Sequence, residues 1–440
     1  MQTIVVKFGG SSLANAAQIR KAAAIIQEKS ARRYVVVSAP GKSFPEDTKV
    51  TDLLYRCYDR AMAHEEFESV LSIIEGRFAD IIKELGVELD LSADFDALRE
   101  NLTKHPSADY AASRGEYLNA RVISAYLGYP MLDTADYVRF TADGKYDQEA
   151  TEALLVPALK KNIKAVLPGF YGAYPDGTVH TFSRGGSDIT GAIVAKAAGA
   201  KIYENWTDVS GMLVADPRIV ENPKPIESLT YRELRELSYM GAAVLHEDAV
   251  FPVRQAGIPI NIRNTNARAD DGTMILHHLP QGFKPKIITG IAGNHGFSVV
   301  RIEKTMMNNE VGFGAKVLEI FAEFGLSFEH MPSGIDTLSV VLSTDALTPV
   351  KNELMKRLQK ETEADVIYVE DEMAIIAVVG HGMVRAKGTA ARVLTAIAKS
   401  EINIRMIDQG SGELNIIIGV HEKDYITAIR ALYKEFEKDL

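Results

Sequence analysis

Cysteine is almost absent from this chain of 440 residues, with Cys57 the single thiol. One cysteine excludes an intrachain disulfide and fits a reducing compartment. Long apolar runs are absent as well. No stretch approaches the roughly 18 apolar residues of a membrane span. The N-terminus enters a strand directly, without a charged and then apolar leader. Positive charge is in deficit: 49 Lys and Arg stand against 59 Asp and Glu, a formal net charge of −10. Bulk electrostatics therefore argue against nucleic acid or an anionic membrane as partner, while a local anion site stays open. The expectation is a cytoplasmic globular protein of two or three domains.

One stretch organises what is present. Ile4-Val5-Val6 reads as a buried strand, Lys7-Phe8-Gly9-Gly10-Ser11-Ser12 as a turn, and residues 13–29 as an amphipathic helix with Ile19, Ala22, Ile25 and Ile26 on one face. The spacing matches neither the P-loop nor the G-x-G-x-x-G fingerprint. Glycines still allow a tight turn and close approach of a ligand. A helix N-terminus favours an anion, and Lys7 adds a full charge. Arg184-Gly185-Gly186-Ser187-Asp188 repeats this logic ahead of a helix at 189–198 and adds an Arg fork suited to carboxylate or phosphate. A third loop, Thr207-Asp208-Val209-Ser210-Gly211 through Asp216-Pro217-Arg218, also follows a strand. Each alone is as easily an ordinary βα turn with a solvated cation. Two glycine turns, one with Lys and one with Arg, point to an anion-handling site. Strand–helix alternation from residue 1 to about 285 predicts a mainly parallel sheet covered by helices on both faces. Helices are expected at 51–64, 66–85, 94–102 and 109–127, the last carrying Ser113-Arg114-Gly115-Glu116.

The last third contains an internal repeat. A shift of 76 residues carries Gly312, Ala315, Val317, Leu318, Ala322, Gly334 and Leu338 onto Gly388, Ala391, Val393, Leu394, Ala398, Gly410 and Leu414. Each copy reads strand, helix, strand, strand, helix. The first closes with a strand at 365–369, whereas the second runs out at Leu440. Residues 286–291 are expected to supply its missing strand, which places the first copy inside the second.

Lys7 to Ser12, Ser113 to Glu116, Ser183 to Asp188 and Trp206 to Arg218 resemble, in that order, the motifs of the aspartate kinases, and the repeat resembles their paired ACT modules. The resemblance spans essentially the whole chain. It implies an α/β amino-acid kinase fold over 1–285, with a mainly parallel sheet sandwiched by helices. Two α+β ACT modules follow over 286–440, the first at about 297–371 and the second at about 372–440, completed by strand 286–292. It implies ATP-dependent phosphorylation of the β-carboxylate of L-aspartate to 4-phospho-L-aspartate, the first step toward lysine, threonine and methionine. No homoserine dehydrogenase domain is expected after Leu440.

By the same resemblance Lys7, Arg184 and Asp188 are the catalytic set. Arg184 takes the α-carboxylate of aspartate and Glu116 its ammonium, with Thr51 and Ser187 as hydrogen-bond partners. The nucleotide falls to Lys7, Gly9, Gly10, Ser11, Ser38, Thr207, Asp208 and Arg218. Mg²⁺ is expected on phosphate oxygens and water rather than in a protein cage, with Asp188 orienting the site. An effector, lysine rather than threonine, is assigned to Met307, Asn308, Asn309, Ser327, Phe328 and Glu329 on a loop and a strand at 326–331. Pairing of ACT modules implies a homodimer or a dimer of dimers. Two positions depart from the family: Leu213 stands where many relatives carry Tyr, and Ala243 where many carry a Lys near the nucleotide. The rival readings are a glutamate-type kinase of the same fold and a catalytically silent amino-acid sensor.

The chemistry agrees with this choice. A β-carboxylate is already ionised at neutral pH and needs no general base. The obstacle is one anion approaching another, so positive charge and positioning are required rather than histidine, and no histidine lies in these turns.

Overall fold

The computed structural model describes residues 2–183, 185–242, 245, 247–280, 282–410, 412 and 414–440. Contacts divide it into two units. The first comprises Met1–Met212, Pro225–Leu234 and Val244–Pro280; the second comprises Leu213–Lys224, Arg235–Ala243 and Gln281–Leu440. The division is thus not a single cut near residue 285. No helix among the described residues is long and apolar enough to cross a membrane.

In the first unit, strands β1 (Ile4–Phe8) and β2 (Arg32–Val37) are neighbours in the main sheet. Two short pairs follow, β3 (Arg139–Phe140) with β4 (Tyr146–Asp147) and β6 (Tyr171–Ala173) with β7 (Val179–Thr181), separated by β5 (Ala165–Pro168). The unit is completed by β8 (Ile202–Thr207), β9 (Ser228–Thr230), β10 (Ile260–Asn264) and β11 (Thr273–Leu276). The main sheet has the order β5-β2-β1-β8-β10-β11-β9. Strands β5, β2, β1, β8 and β10 run parallel, and β11 runs antiparallel to β10. Val5, Val6, Val35, Val36 and Val37 have no exposed surface, as expected of strands covered on both faces. From β1 the chain crosses to β2 on one side; from β8 it crosses toward β10 on the other. The carboxyl ends of β1 and β8 therefore form a topological switch point, where open α/β sheets hold ligands.

The helix after β1 does not start at the glycine turn. Gly10–Leu13 form a single 3-10 turn, and the helix runs Ala16–Glu28. Asn15 sets this start, because its side-chain oxygen accepts from Gln18 N at 3.1 Å, a standard N-cap. At the second turn the helix begins immediately, Gly186–Ala197, with Gly185 as N-cap at φ 67°. That left-handed conformation explains the glycine. The two turns are therefore different devices.

The second unit holds a five-stranded sheet built on two long strands, β12 (Gly290–Glu303) and β14 (Val366–Val379). Its order is β13-β12-β14-β16-β15, with β13 Thr337–Ser343, β15 Ile404–Asp408 and β16 Asn415–His421. The first half of β12 pairs Gly290–His295 with Ala374–Val379, and Thr289 N reaches Val379 O. Its second half pairs with β13 and with the first half of β14. What reads in sequence as four strands is two, each bent at a positive-φ residue, Gly296 at 85° and Glu372 at 61°. These positions are themselves 76 apart (372 − 296), as are the helices Phe313–Glu323 and Thr389–Lys399. The strand expected at 326–331 is not regular: one bridge, His330 to Val341, stands in its place. Pro332 follows and has no N–H to extend the ladder.

Candidate active site

The switch point gathers most of the expected site. Lys7 projects from the end of β1, is 7% exposed, and places its Nζ 2.6 Å from Oδ1 of Asp188. Asp188 lies in the first turn of helix Gly186–Ala197, where its charge complements the helix dipole. Backbone bonds lace the neighbouring strand ends together: Gly9 N to Trp206 O at 3.0 Å, Ser38 N to Phe8 O at 3.2 Å and Gly169 N to Val37 O at 2.9 Å.

The two glycines after Lys7 have separate tasks. A Cβ on Gly9 would stand 3.7 Å from Lys7 Nζ, so this position keeps the space beside the ammonium open. A Cβ on Gly10 would lie 2.9 Å from Ala39 O, and Gly41 donates to Gly10 O at 2.8 Å. Gly10 thus meets a backbone requirement, the close packing of two turns. Ser11 is half-buried in the 3-10 turn.

Glu116 is 5% exposed. Its carboxyl faces the Ala39 backbone N–H and the Ser187 hydroxyl, which favour the ionised form. Its Oε2 is buried without a hydrogen-bond partner. Burial pushes this carboxyl up to about 8, against the opposing pull of those polar groups and of the Lys7 charge. A solvated helix glutamate, the bland reading of the sequence, is excluded by this burial. The rest of the motif is structural. The Arg114 guanidinium lies over the rings of Tyr110, Tyr117 and Tyr171 at 4.5, 4.3 and 5.5 Å. A Cβ on Gly115 would come 2.8 Å from Ala39 Cβ and 3.3 Å from Leu54, so glycine lets helix Ala108–Leu127 approach helix Val50–Met62. Thr51, half-buried, is the second residue of that latter helix.

Ser38 is half-buried at the end of β2, and its carbonyl accepts from Asn119 Nδ2 at 2.7 Å. Thr207 closes β8 and donates to the exposed Asp208 at 3.2 Å. Arg218 belongs to the second unit; it is 85% exposed and folds onto Asp216 at 2.6 Å. Arg184 and Ala243 lie outside the described residues. Among the described residues no three His, Cys, Asp or Glu side chains form a metal-binding group.

In the second unit Met307 is buried in the core with Phe313 and Val317, whereas Asn308 and Asn309 are exposed, as are Met306 and Val311 beside them. Met307 thus packs in the core of this unit. Ser327 and Phe328 are exposed, and the Glu329 carboxylate accepts from the Tyr239 hydroxyl.

Sequence reasoning missed Asn205 and Asn119. Asn205, on β8, donates from Nδ2 to Asp188 Oδ1 at 2.8 Å. The signal was available: a polar residue inside an otherwise buried parallel strand, next to a suspected catalytic lysine on the neighbouring strand.

Residues 2–264 match the model of the amino acid kinase family, and residues 376–436 match an ACT domain. Aspartokinase 3 of Bacillus subtilis (strain 168) is 41% identical over 450 aligned residues, covering 98% of each chain. The solved aspartate kinase of Clostridium acetobutylicum is 45% identical, with a TM-score of 0.90 over 99% of this chain and 100% of that one. Escherichia coli aspartokinase III, crystallised with aspartate and ADP, shares the fold at a TM-score of 0.77 and 24% identity, over 99% of this chain and 100% of that one. Near-complete coverage at this identity, on a kinase domain followed by an ACT module, places the chain in the aspartokinases, within the amino acid kinase family.

Proposed function

We propose that the Lys7–Asp188 pair is the charge device of an ATP-dependent aspartate kinase. The observation carrying this is the 2.6 Å contact between them at the switch point, beside the buried and unpartnered Oε2 of Glu116. In the reaction an oxygen of the aspartate β-carboxylate attacks the γ-phosphorus. The bond from that phosphorus to the β,γ-bridging oxygen breaks, ADP leaves with the electron pair, and 4-phospho-L-aspartate remains.

Lys7 neutralises charge on the transferring phosphoryl and acts most strongly where that charge spreads. Gly9 keeps the neighbouring space free, and Gly10, Ser11 and Ser38 frame the phosphates. Thr207 and Asp208 take the nucleotide from the end of β8. Arg184 receives the α-carboxylate of aspartate, Glu116 the ammonium, and Thr51 and Ser187 complete the hydrogen bonds. The donor set fits a nucleotide-borne Mg²⁺, which would take phosphate oxygens and water as ligands with Asp188 close by, and would supply further charge neutralisation.

Residues 1–285 carry catalysis and 286–440 regulation, with an amino-acid effector, lysine, at Asn308, Asn309 and Glu329. A carboxylate is the natural partner of a lysine ammonium. Paired ACT modules cover open sheet edges in a homodimer or a dimer of dimers.

Trapping the acyl phosphate with hydroxylamine tests the reaction. The aspartate hydroxamate is expected with ATP and aspartate, and none with glutamate or without an amino acid. Product with glutamate alone, or none at all, overturns the reading.

A further inference from the structure

We propose that Asn205 is a positioning residue for phosphoryl transfer: it holds the Asp188 carboxylate while the Lys7 ammonium turns from Asp188 toward the phosphoryl group. The inference rests on the role given to Lys7 and Asp188 above.

Three observations carry it. First, Lys7 and Asn205 are register partners on the adjacent parallel strands β1 and β8. Both reach the same atom, Asp188 Oδ1, at 2.6 Å from Lys7 and 2.8 Å from Asn205. Second, β8 grips Asp188 twice. Residues two apart on a strand share a face, and two positions before Asn205 the Tyr203 hydroxyl donates to the Asp188 backbone carbonyl at 3.2 Å. Gly191, three residues after Asp188, makes room for this, since a Cβ there would lie 2.3 Å from the Tyr203 oxygen. Third, Asn205 is 4% exposed, Lys7 7% and the Asp188 side chain 17%, so water has limited access to replace a lost partner.

The physical argument concerns what remains when Lys7 moves. A lysine fully engaged with a carboxylate offers little net charge to a ligand. To stabilise the transferring phosphoryl, the ammonium must give up part of its contact with Asp188. A carboxylate with only 17% of its side-chain surface exposed, left with fewer partners, would oppose that motion by Coulomb attraction and by the cost of an under-satisfied charge. The Asn205 amide remains on it throughout. Being neutral, it satisfies the carboxylate without adding a second cation that would draw the phosphoryl group off line. Being short and strand-borne, it keeps Asp188 fixed while the long lysine swings.

The test is steady-state kinetics of Asn205→Leu and Asn205→Asp, with melting curves to confirm folding. Asn205→Ala gives the same readout should leucine not be accommodated. Asn205→Leu removes the donor while keeping the number and branching of side-chain heavy atoms. It should lower kcat roughly ten- to hundredfold, the scale of one hydrogen bond to a charged group, with KM for aspartate and ATP changed by no more than about threefold. Asn205→Asp should be worse than Asn205→Leu, because a second carboxylate faces Asp188 and competes for Lys7. A position that merely needs a polar side chain would show the opposite order. Asn205→Leu at wild-type kcat, or Asn205→Asp more active than Asn205→Leu, overturns the proposal. Lys7→Met in the same assay separates the two levels. Full activity there overturns the Lys7 role beneath this inference. An inactive Lys7→Met beside a fully active Asn205→Leu overturns the role of Asn205 alone.

Discussion

Glu116 is where burial and charge oppose each other most directly. Its carboxyl is pushed from an ordinary 4.5 up to about 8 by burial, so below that pH the ligand-free site holds it protonated. An incoming ammonium favours the ionised form. Aspartate binding near pH 7 should therefore release a proton, and affinity should rise with pH until about 8 and then level off. Calorimetry of aspartate binding in buffers of different ionisation enthalpy measures both effects, and Glu116→Gln should abolish the proton release and weaken binding roughly tenfold or more. The sign for stability is the reverse. Between pH 4.5 and 8 the folded chain holds a proton that the unfolded chain has lost, so the ligand-free protein should lose stability as pH rises through that window. Sequence identified Glu116 through its motif, but the polar groups that face its carboxyl, Ala39 N–H and the Ser187 hydroxyl, lie 77 and 71 positions away along the chain (116 − 39; 187 − 116). Asn205 was missed for a related reason: its role is visible only once the parallel pairing sets it beside Lys7.

At the scale of elements, the hairpin β6–β7 leads straight into the Ser183–Asp188 turn, and one residue fastens it. Asp109, in the first turn of the Glu116 helix, accepts from the Thr181 hydroxyl at 2.7 Å and meets His180 Nδ1 at 2.7 Å. This tie registers the turn that carries Arg184 against the helix that carries Glu116. Asp109→Ala should therefore raise KM for aspartate several-fold or more, with a much smaller change in KM for ATP, measured by steady-state kinetics. Equal effects on both substrates would assign the tie to general stability. Long periodic elements were legible: the helices at 50–62, 68–85, 92–104 and 108–127 lie within a few residues of their expected bounds. Two-residue strands such as Arg139–Phe140 carry no periodicity and were not legible. The helix start at Ala16 was missed because the Asn15 cap was outweighed by the glycine turn before it. The long strands β12 and β14 were split in reading because a bulge and a positive-φ residue interrupt their alternation.

At the scale of the molecule, the segments Leu213–Lys224 and Arg235–Ala243 fold with the C-terminal unit although they lie within the kinase part of the sequence. Asn415 Nδ2 donates to Glu236 at 2.6 Å, and the Tyr239 hydroxyl donates to Glu329. An effector ammonium proposed at Glu329 would compete with that hydroxyl for the carboxylate. Tyr239→Phe should therefore tighten lysine binding several-fold in titration calorimetry; weaker binding would mean that the effector uses the tyrosine itself. Contacts between residues so distant in sequence cannot be read from local pattern, whereas the repeat that builds this unit was, because its glycines and helices recur at one spacing. The central claim is that a lysine charge, positioned by Asp188, lets one anion attack another. Its most direct test is kcat and KM of Lys7→Met by hydroxamate trapping. The expected result is a fall in kcat of roughly hundredfold or more with KM for ATP nearly unchanged. A loss confined to KM for ATP, with kcat intact, contradicts it.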